Sequence, residues 1–307
     1  MKLAVDSYCF HRWFGECYPG LETAPRGWED KRLDVWGFLE KVKRLNVAGV
    51  SLEACFLPVQ DVKTSAGFID RLKDALDEAQ LERVWAWGHP RGLCSGTDDD
   101  AAADLARHLA LARQIGANVM RICAGGRGTR PASWAQHKAG LVRQLRPLLK
   151  VAEKEHVIIA IENHIDLLGD ELLELLQTLD SPWLGVCFDT ANNLRMGEHP
   201  LALAKKLAPY IKATHIKDVA ARRGDPKTFQ FWPSVPVGRG VVEIPEILEV
   251  LHQANYRGLL AVEIDWLHPQ YQNENNTGEE EALRMSLDYL KEQLTTLTDF
   301  ERKQTHV

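Results

Sequence analysis

Glu162, Asp189, His215 and Glu263 are residue types that bind a hard divalent cation and move protons, and each stands where an apolar run ends. The run 157-VIIAI-161 goes straight into 162-ENHID-166. A short β-branched run of this kind suits a strand buried on both faces, as in a parallel sheet. Burying a carboxylate is costly unless it is paired, hydrogen-bonded or on a metal, so Glu162 belongs where its strand leaves the core. Similar runs end at Asp189 (184-LGVCFDT-190), at His215 with Lys217 and Asp218 (211-IKATHIKD-218), and at Glu263 and Asp265 (259-LLAVEID-265). Three carboxylates and an imidazole facing one another would repel and raise each other's pKa values unless a cation neutralised them. One divalent metal ion per chain is therefore expected on Glu162, Asp189, His215 and Glu263. Oxygen and nitrogen donors without a thiolate suit octahedral Mn²⁺, Mg²⁺ or Co²⁺. Four protein ligands leave two positions at which an α-hydroxyketone could chelate, and the cation then stabilises the enediolate formed by proton removal. Glu162 and Glu263, from the fifth and eighth strands, are the candidate acid–base pair on opposite sides of the substrate. A single acid at a strand end more often caps a helix or pairs with a cation. The case rests on four suitable ligands at four successive strand ends.

Eight strand-like runs are needed to bring these ends together: 3–8, 47–54, 82–88, 117–124, 157–163, 184–190, 211–217 and 259–265. Amphipathic segments lie between them, at about 34–45, 64–80, 99–116, 132–155, 168–180, 198–209, 243–254 and 279–294. Val35, Phe38, Leu39, Val42 and Leu45 have the spacing of one buried helical face, and Leu168, Leu172, Leu175, Leu176 and Leu179 repeat it. Strictly alternating strands and helices predict an α/β fold, a single (β/α)8 TIM barrel over residues 1–307. The alternative, a doubly wound open sheet, lacks its G-x-G-x-x-G after the first strand; 125-GGRGTR-130 follows the fourth and has other spacing. The long loops after strands 1 and 7, residues 9–33 and 218–242, carry aromatics (Phe10, Trp13, Phe14, Tyr18; Phe229, Phe231, Trp232). Both leave strand C-termini, the face at which barrels work, and serve as packing, a subunit contact or a substrate lid.

Other residues near strand ends have two readings each. Arg121, in the fourth strand, could grip a substrate carboxylate or phosphate, or could pair inside the barrel with Glu53 or Glu162. Lys217 shares strand parity with His215 and is expected to face inward, against substrate or Glu162. His89 is a candidate substrate contact or a helix cap. Asn163 and His164 are candidate supports of the metal ligands, and His11, Trp13, Trp87 and Trp266 stack on a sugar or pack in the core. The 98-DDD-100 run is expected to cap the third helix.

Composition narrows the function classes. The 307 residues are 45% hydrophobic and 26% charged, with a formal charge of −6 and a pI near 6.0. That argues against a nucleic-acid footprint or an acidic-membrane surface as partner. No run approaches the roughly 18 apolar residues of a membrane span. The start MKLAVDSYCFHRW turns polar too soon for a secretory leader, and the 6 cysteines lack any C-x-x-C, so reduced thiols and a cytoplasmic location are expected.

The stretches ENHID, CFDTANNL, HIKD, PVGRGVV and LLAVEID together resemble the xylose-isomerase-like barrel superfamily of sugar isomerases and epimerases. The resemblance covers nearly the whole chain and is strongest over 157–265. It implies the same four metal ligands, Glu162, Asp189, His215 and Glu263, with the two glutamates as opposed acid and base. It also implies a sugar isomerase or epimerase acting on a keto sugar or keto sugar acid, with a homo-oligomer possible. Two positions depart from the pattern. Asn192 stands where keto-sugar epimerases typically carry a substrate-binding histidine, and Ala221 stands where an arginine is expected, with Arg222 and Arg223 beside it. Substrate recognition has therefore changed, which brings in the relatives that dehydrate inososes or decarboxylate 3-keto sugars and sugar acids. All these reactions share the enediolate. Apurinic endonucleases also share the barrel, but they need three zinc ions and further histidines, whereas Asn192, Thr228 and Gln230 occupy the expected places. A non-catalytic sugar-binding protein would be indicated by loss of a ligand, and all four are present.

Overall fold

The computed structural model describes residues 1–15, 33–59, 62–89, 91–228, 231–273, 275 and 277–304. Tyr18, Phe229 and Gln230, and with them most of the first long loop, lie outside the described residues. Strands Lys2–Asp6 (β1), Gly49–Glu53 (β2), Glu82–Ala86 (β3), Val119–Ile122 (β4), Ile158–Glu162 (β5), Leu184–Asp189 (β6), Ile211–Ile216 (β7) and Leu259–Val262 (β8) form a closed parallel barrel. Closure comes from β1 pairing with β8, Lys2 opposite Leu259 and Val5 opposite Val262. Helices Val35–Lys43 (α1), Val62–Glu78 (α2), Asp99–Ile115 (α3), Trp134–Glu155 (α4), Gly169–Leu179 (α5), Pro200–Leu207 (α6), Ile244–Gln253 (α7) and Gly278–Gln304 (α8) surround it. The (β/α)8 TIM barrel expected from the alternating pattern is the observed fold. No described helix is long and apolar enough to cross a membrane.

Local chemistry sets the element ends. The α1 stripe Val35, Phe38, Leu39 and Val42 is buried, and Asp34 caps the helix by accepting from Gly37 N at 2.8 Å. Asp98 caps α3 by accepting from Ala101 N at 3.0 Å, as the acidic run predicts. Strand β1 stops at Asp6, two residues short of its expected end. The Asp6 carboxylate accepts from Tyr8 N at 2.6 Å and starts a 3₁₀ turn over Ser7–Phe10.

The strand period of two then places the polar end of the barrel. Ala4, Val84, Val119, Ala160, Cys187, Ala213, Leu259 and Ala261 pack in a cluster separate from the main core. Two residues further along the same strand faces stand Asp6, Arg121, Glu162, Asp189, His215 and Glu263. A layer of small side chains thus supports a layer of charged ones, at the C-terminal end of the strands where barrel enzymes carry their sites.

The second long loop is anchored to the same end. Asp218–Val219 and Ser234–Val235 pair as a small antiparallel ribbon. The Asp218 carboxylate accepts from four backbone amides, Val219 (2.9 Å), Gly238 (3.0 Å), Gly240 (2.8 Å) and Val242 (3.1 Å). A Cβ at Gly240 would lie 2.1 Å from Asp218 Oδ1, which accounts for the second glycine of 236-PVGRGVV-242. Asp218→Ala should lower stability by about 2–4 kcal/mol, from buried amides left without an acceptor. Urea unfolding measures it, and an unchanged midpoint would show that this carboxylate does not hold the loop.

Candidate metal centre

Glu162, Asp189, His215 and Glu263 are all buried, and one donor atom from each lies within 4.8 Å of every other. The four ligands expected from the strand ends therefore converge. Glu162 Oε2 lies 3.8 Å from His215 Nδ1, and Glu263 Oε2 lies 2.8 Å from the same nitrogen. His215 Nδ1, Asp189 Oδ2 and Glu263 Oε2 are buried without a hydrogen bond of normal geometry, their polar neighbours being one another and the Lys217 ammonium. A buried set of mixed oxygen and nitrogen donors this close together fits a divalent cation.

Hydrogen bonds and ion pairs fix each of the four candidate ligands. His215 Nε2 lies 3.2 Å from Asp6 Oδ2, the carboxylate–histidine arrangement that orients a metal-binding imidazole. Asn163 bridges β5 to β6: its Oδ1 accepts from Asp189 N and its Nδ2 donates to Asp189 O, both at 2.8 Å. The turn after β6 holds the other oxygen of Asp189, since Ala191 N (2.7 Å) and Asn192 N (2.8 Å) donate to Oδ1. Asp189 is thereby oriented so that Oδ2 is left for the centre.

The substrate-contact candidates His89, Arg121, Asn192 and Lys217 all line one cavity of about 310 Å³ over the cluster, together with Glu162 and Glu263. Asp189 and His215 lie behind that wall. Arg121 makes the ion pairs expected inside the barrel, with Glu162 and with Glu53 Oε1 at 3.1 Å from its Nη1, and it also lines the cavity. Lys217 Nζ lies 3.1 Å from Asp189, 3.2 Å from Glu263 and 3.3 Å from Asp265. His89 stacks on Trp87, whose indole N–H is held by Asp104 at 2.8 Å. Asn192 Nδ2 donates to Glu162 Oε1 at 2.7 Å, so this amide grips a metal-ligand candidate as well as lining the cavity. His164 lines the wall too. His11 is buried, with Nε2 2.8 Å from the Asp265 carbonyl, and packs edge-on to Trp266, which is 46% exposed at the mouth. Arg222 and Arg223 are exposed and outside the cavity lining, so neither replaces the arginine expected near Ala221.

Electrostatics decide which groups carry charge. Burial disfavours the Glu162 carboxylate, but Arg121 and His215 outweigh it and hold Glu162 well below the usual range. Burial raises Glu53 to about 8 and Asp189 to about 6, against the opposing pull of Arg121 and Lys217 respectively. Burial opposes the His215 and Lys217 cations too. The carboxylates of Glu263, Glu162 and Asp6 nevertheless hold His215 well above its ordinary value. Asp189, Asp265 and Glu263 do the same for Lys217, which is therefore a fixed cation rather than a base.

Asp6 and Arg195 were missed by sequence reasoning, whereas Glu53 was expected as a partner of Arg121 and is one. Asp6 ends the first strand just as Glu162 ends the fifth, and that parallel was the available signal. Arg195 sits in a turn, where nothing in the sequence marks it as buried.

A family model described as xylose isomerase-like TIM barrel matches residues 39–293. The chain is 27% identical over 223 residues to a 3-oxo-isoapionate decarboxylase of Pectobacterium atrosepticum, covering 71% of this chain and 78% of the relative. It is 24% identical over 217 residues to an inosose dehydratase of Bacillus thuringiensis, covering 63% and 72%. Among solved structures, a xylose isomerase domain protein from Planctomyces limnophilus superposes with a TM-score of 0.72 at 20% identity, covering 97% of this chain and 98% of that one. That last likeness bears on the fold alone.

One acid beside the site lacks a partner and sets a pH dependence. Asp166 is fully buried, and neither carboxylate oxygen forms a hydrogen bond beyond its own backbone amide. Burial raises its pKa from 3.8 to about 7. Its folded value lies above its unfolded one, so the cost of its charge is absent below about pH 4, grows up to about pH 7 and is full above that. Asp166→Asn should therefore stabilise the protein by on the order of 1–3 kcal/mol at pH 8 and by little at pH 4. Thermal melts across that range measure it; a gain independent of pH would show that Asp166 is not charged at neutrality.

Proposed function

This chain belongs to the xylose isomerase-like TIM barrel family, and we propose that it is a divalent-metal-dependent enzyme of carbohydrate metabolism. Its substrate is a keto sugar or keto sugar acid from which a proton is removed beside the carbonyl. The observation that carries this reading is the set of four buried donors within 4.8 Å at adjoining strand ends, beneath a cavity that Glu162 and Glu263 also line. A bound Mn²⁺, Mg²⁺ or Co²⁺ would supply Lewis-acid stabilisation of charge on the substrate's oxygens. The chain's own residues do the rest. Lys217 and Arg121 lie where developing negative charge would be felt, and Trp266 and Tyr8 form part of the rim of the same cavity.

The two glutamates are not equivalent. Glu162 has one oxygen on Asn192 Nδ2 and the other on Arg121, which leaves little capacity to take a proton. Against the opposing effect of burial, Lys217 and His215 hold Glu263 below the usual carboxylate range too. Its Oε1, however, carries no backbone or amide donor and lies 3.2 Å from Lys217 Nζ, so Oε1 is assigned the proton transfer. One proton-carrying group suffices for loss of water, in which Glu263 takes the proton beside the carbonyl and returns it to the departing β-hydroxyl. It suffices also for loss of CO₂, in which the C–C bond breaks to give the enediolate and one proton is delivered to carbon, whereas epimerisation needs proton carriers on two faces. The names of the similar decarboxylase and dehydratase point the same way. The lyase reading thus comes ahead of the isomerase or epimerase reading that the sequence resemblance placed first.

The test is NMR in D₂O on Mn²⁺-loaded protein with keto sugars, inososes and 3-keto sugar acids. The expected result is a dehydrated or decarboxylated product, with Glu263→Gln slower by on the order of 10²–10⁴-fold. A product differing only in the configuration of one carbon, with both glutamates needed for exchange, would return the protein to the epimerases.

A further inference from the structure

We propose that Arg195 is a positioning residue: acting through the Asn192 amide, its guanidinium holds Glu162 in place as a cation ligand and keeps the second oxygen of Glu162 out of proton transfer. The inference rests on the metal-centre reading of the cluster and goes beyond it, to the device that divides labour between the two glutamates.

Arg195 lies in the 3₁₀ turn Asn192–Met196 after β6 and is 4% exposed. Burying a guanidinium is costly, so its partners must be specific. Its Nη1 donates to Asn192 Oδ1 at 2.7 Å, across a spacing of three residues. A primary amide has one accepting end and one donating end. With the oxygen held by Arg195, the NH₂ must point the other way, where it donates to Glu162 Oε1 at 2.7 Å. The flipped amide would set donor against donor at Arg195 and acceptor against acceptor at Glu162, two buried conflicts at once. Arg195 therefore determines which end of Asn192 meets the carboxylate.

The oxygen so gripped is Oε1, whereas Oε2 faces His215 Nδ1 at 3.8 Å. Asn192 thus occupies the oxygen that would otherwise be available to take a proton. The same turn holds Asp189 Oδ1 through the Ala191 and Asn192 amides, so two of the four ligands hang on one short segment. The far side of the guanidinium is braced as well. Arg195 Nη2 lies 3.6 Å from Asp265 Oδ2, and the other oxygen of Asp265 accepts from Ser234 Oγ.

A merely structural arginine, present only to neutralise Asp265, would make a different prediction, and a double-mutant cycle separates the two. Mn²⁺ binding is measured by titration calorimetry on the full chain for wild type, Asn192→Ala, Arg195→Met and the double variant, beside urea unfolding. Each single change should weaken Mn²⁺ binding by roughly 10–100-fold, the usual effect of losing an outer support of a ligand. The double variant should bind no more weakly than the poorer single one, because both break one chain of contacts. Fully additive losses, or wild-type Mn²⁺ binding in Arg195→Met, would overturn the inference while leaving the metal centre standing. If Arg195→Met does not fold, Asn192→Asp decides. It keeps an acceptor for Arg195 but offers Glu162 no donor, so it should lose affinity like Asn192→Ala, and wild-type affinity there would refute the proposal. A wild-type protein that binds no Mn²⁺ would instead remove the metal centre itself.

Discussion

Six carboxylates, Asp6, Glu53, Glu162, Asp189, Glu263 and Asp265, are buried at one end of this barrel, each 6% exposed or less. Three permanent cations, Arg121, Arg195 and Lys217, stand among them. Charges of one sign confined in low dielectric cannot persist uncompensated, because each unpaired ion costs several kcal/mol. Protons supply part of the compensation, on Glu53, which burial raises to about 8, and on His215, which is held well above its ordinary value. Asp189 Oδ2, His215 Nδ1 and Glu263 Oε2 are among the buried atoms without a hydrogen bond of normal geometry, and they lie together at the cluster. A divalent cation there is the economical resolution, and most other features of this end of the fold follow from placing it.

The barrel meets that requirement by simple means. Small residues such as Ala160, Ala213 and Ala261 fill the interior, and the next residues on the same strand faces are the candidate ligands Glu162, His215 and Glu263. The adjoining turns then fix rotamers: Asn163 ties β5 to β6, Asp6 supports His215, and the turn through Asn192 and Arg195 reaches both Asp189 and Glu162. The asymmetry between the two glutamates arises in these turns and not in the strands.

This division explains what could be read in advance. The convergence of Glu162, Asp189, His215 and Glu263 was legible because each ends an apolar run, and strand periodicity carries that information. The caps of α1 and α3 were equally legible, since Asp34 and Asp98 act on amides three residues away. Contacts that cross the barrel were not. Arg121 had two readings, and only the closed barrel shows that pairing with Glu162 and Glu53 coexists with a place in the cavity wall. Arg195 gave no signal, because a turn arginine is exposed more often than not and its burial depends on Asp265, which is distant in sequence. The end of β1 was placed two residues late because a side chain, Asp6, competes there with the strand ladder for the backbone.

The central claim is that four strand ends hold one divalent cation. The most direct measurement is elemental metal content of the purified chain, beside Glu263→Gln. About one Mn, Mg or Co per wild-type chain is expected, with most of it lost in the variant. A wild type without metal, even after Mn²⁺ is supplied, would rule out the cation at these strand ends, and about three zinc ions would move the protein toward a different chemistry on the same barrel.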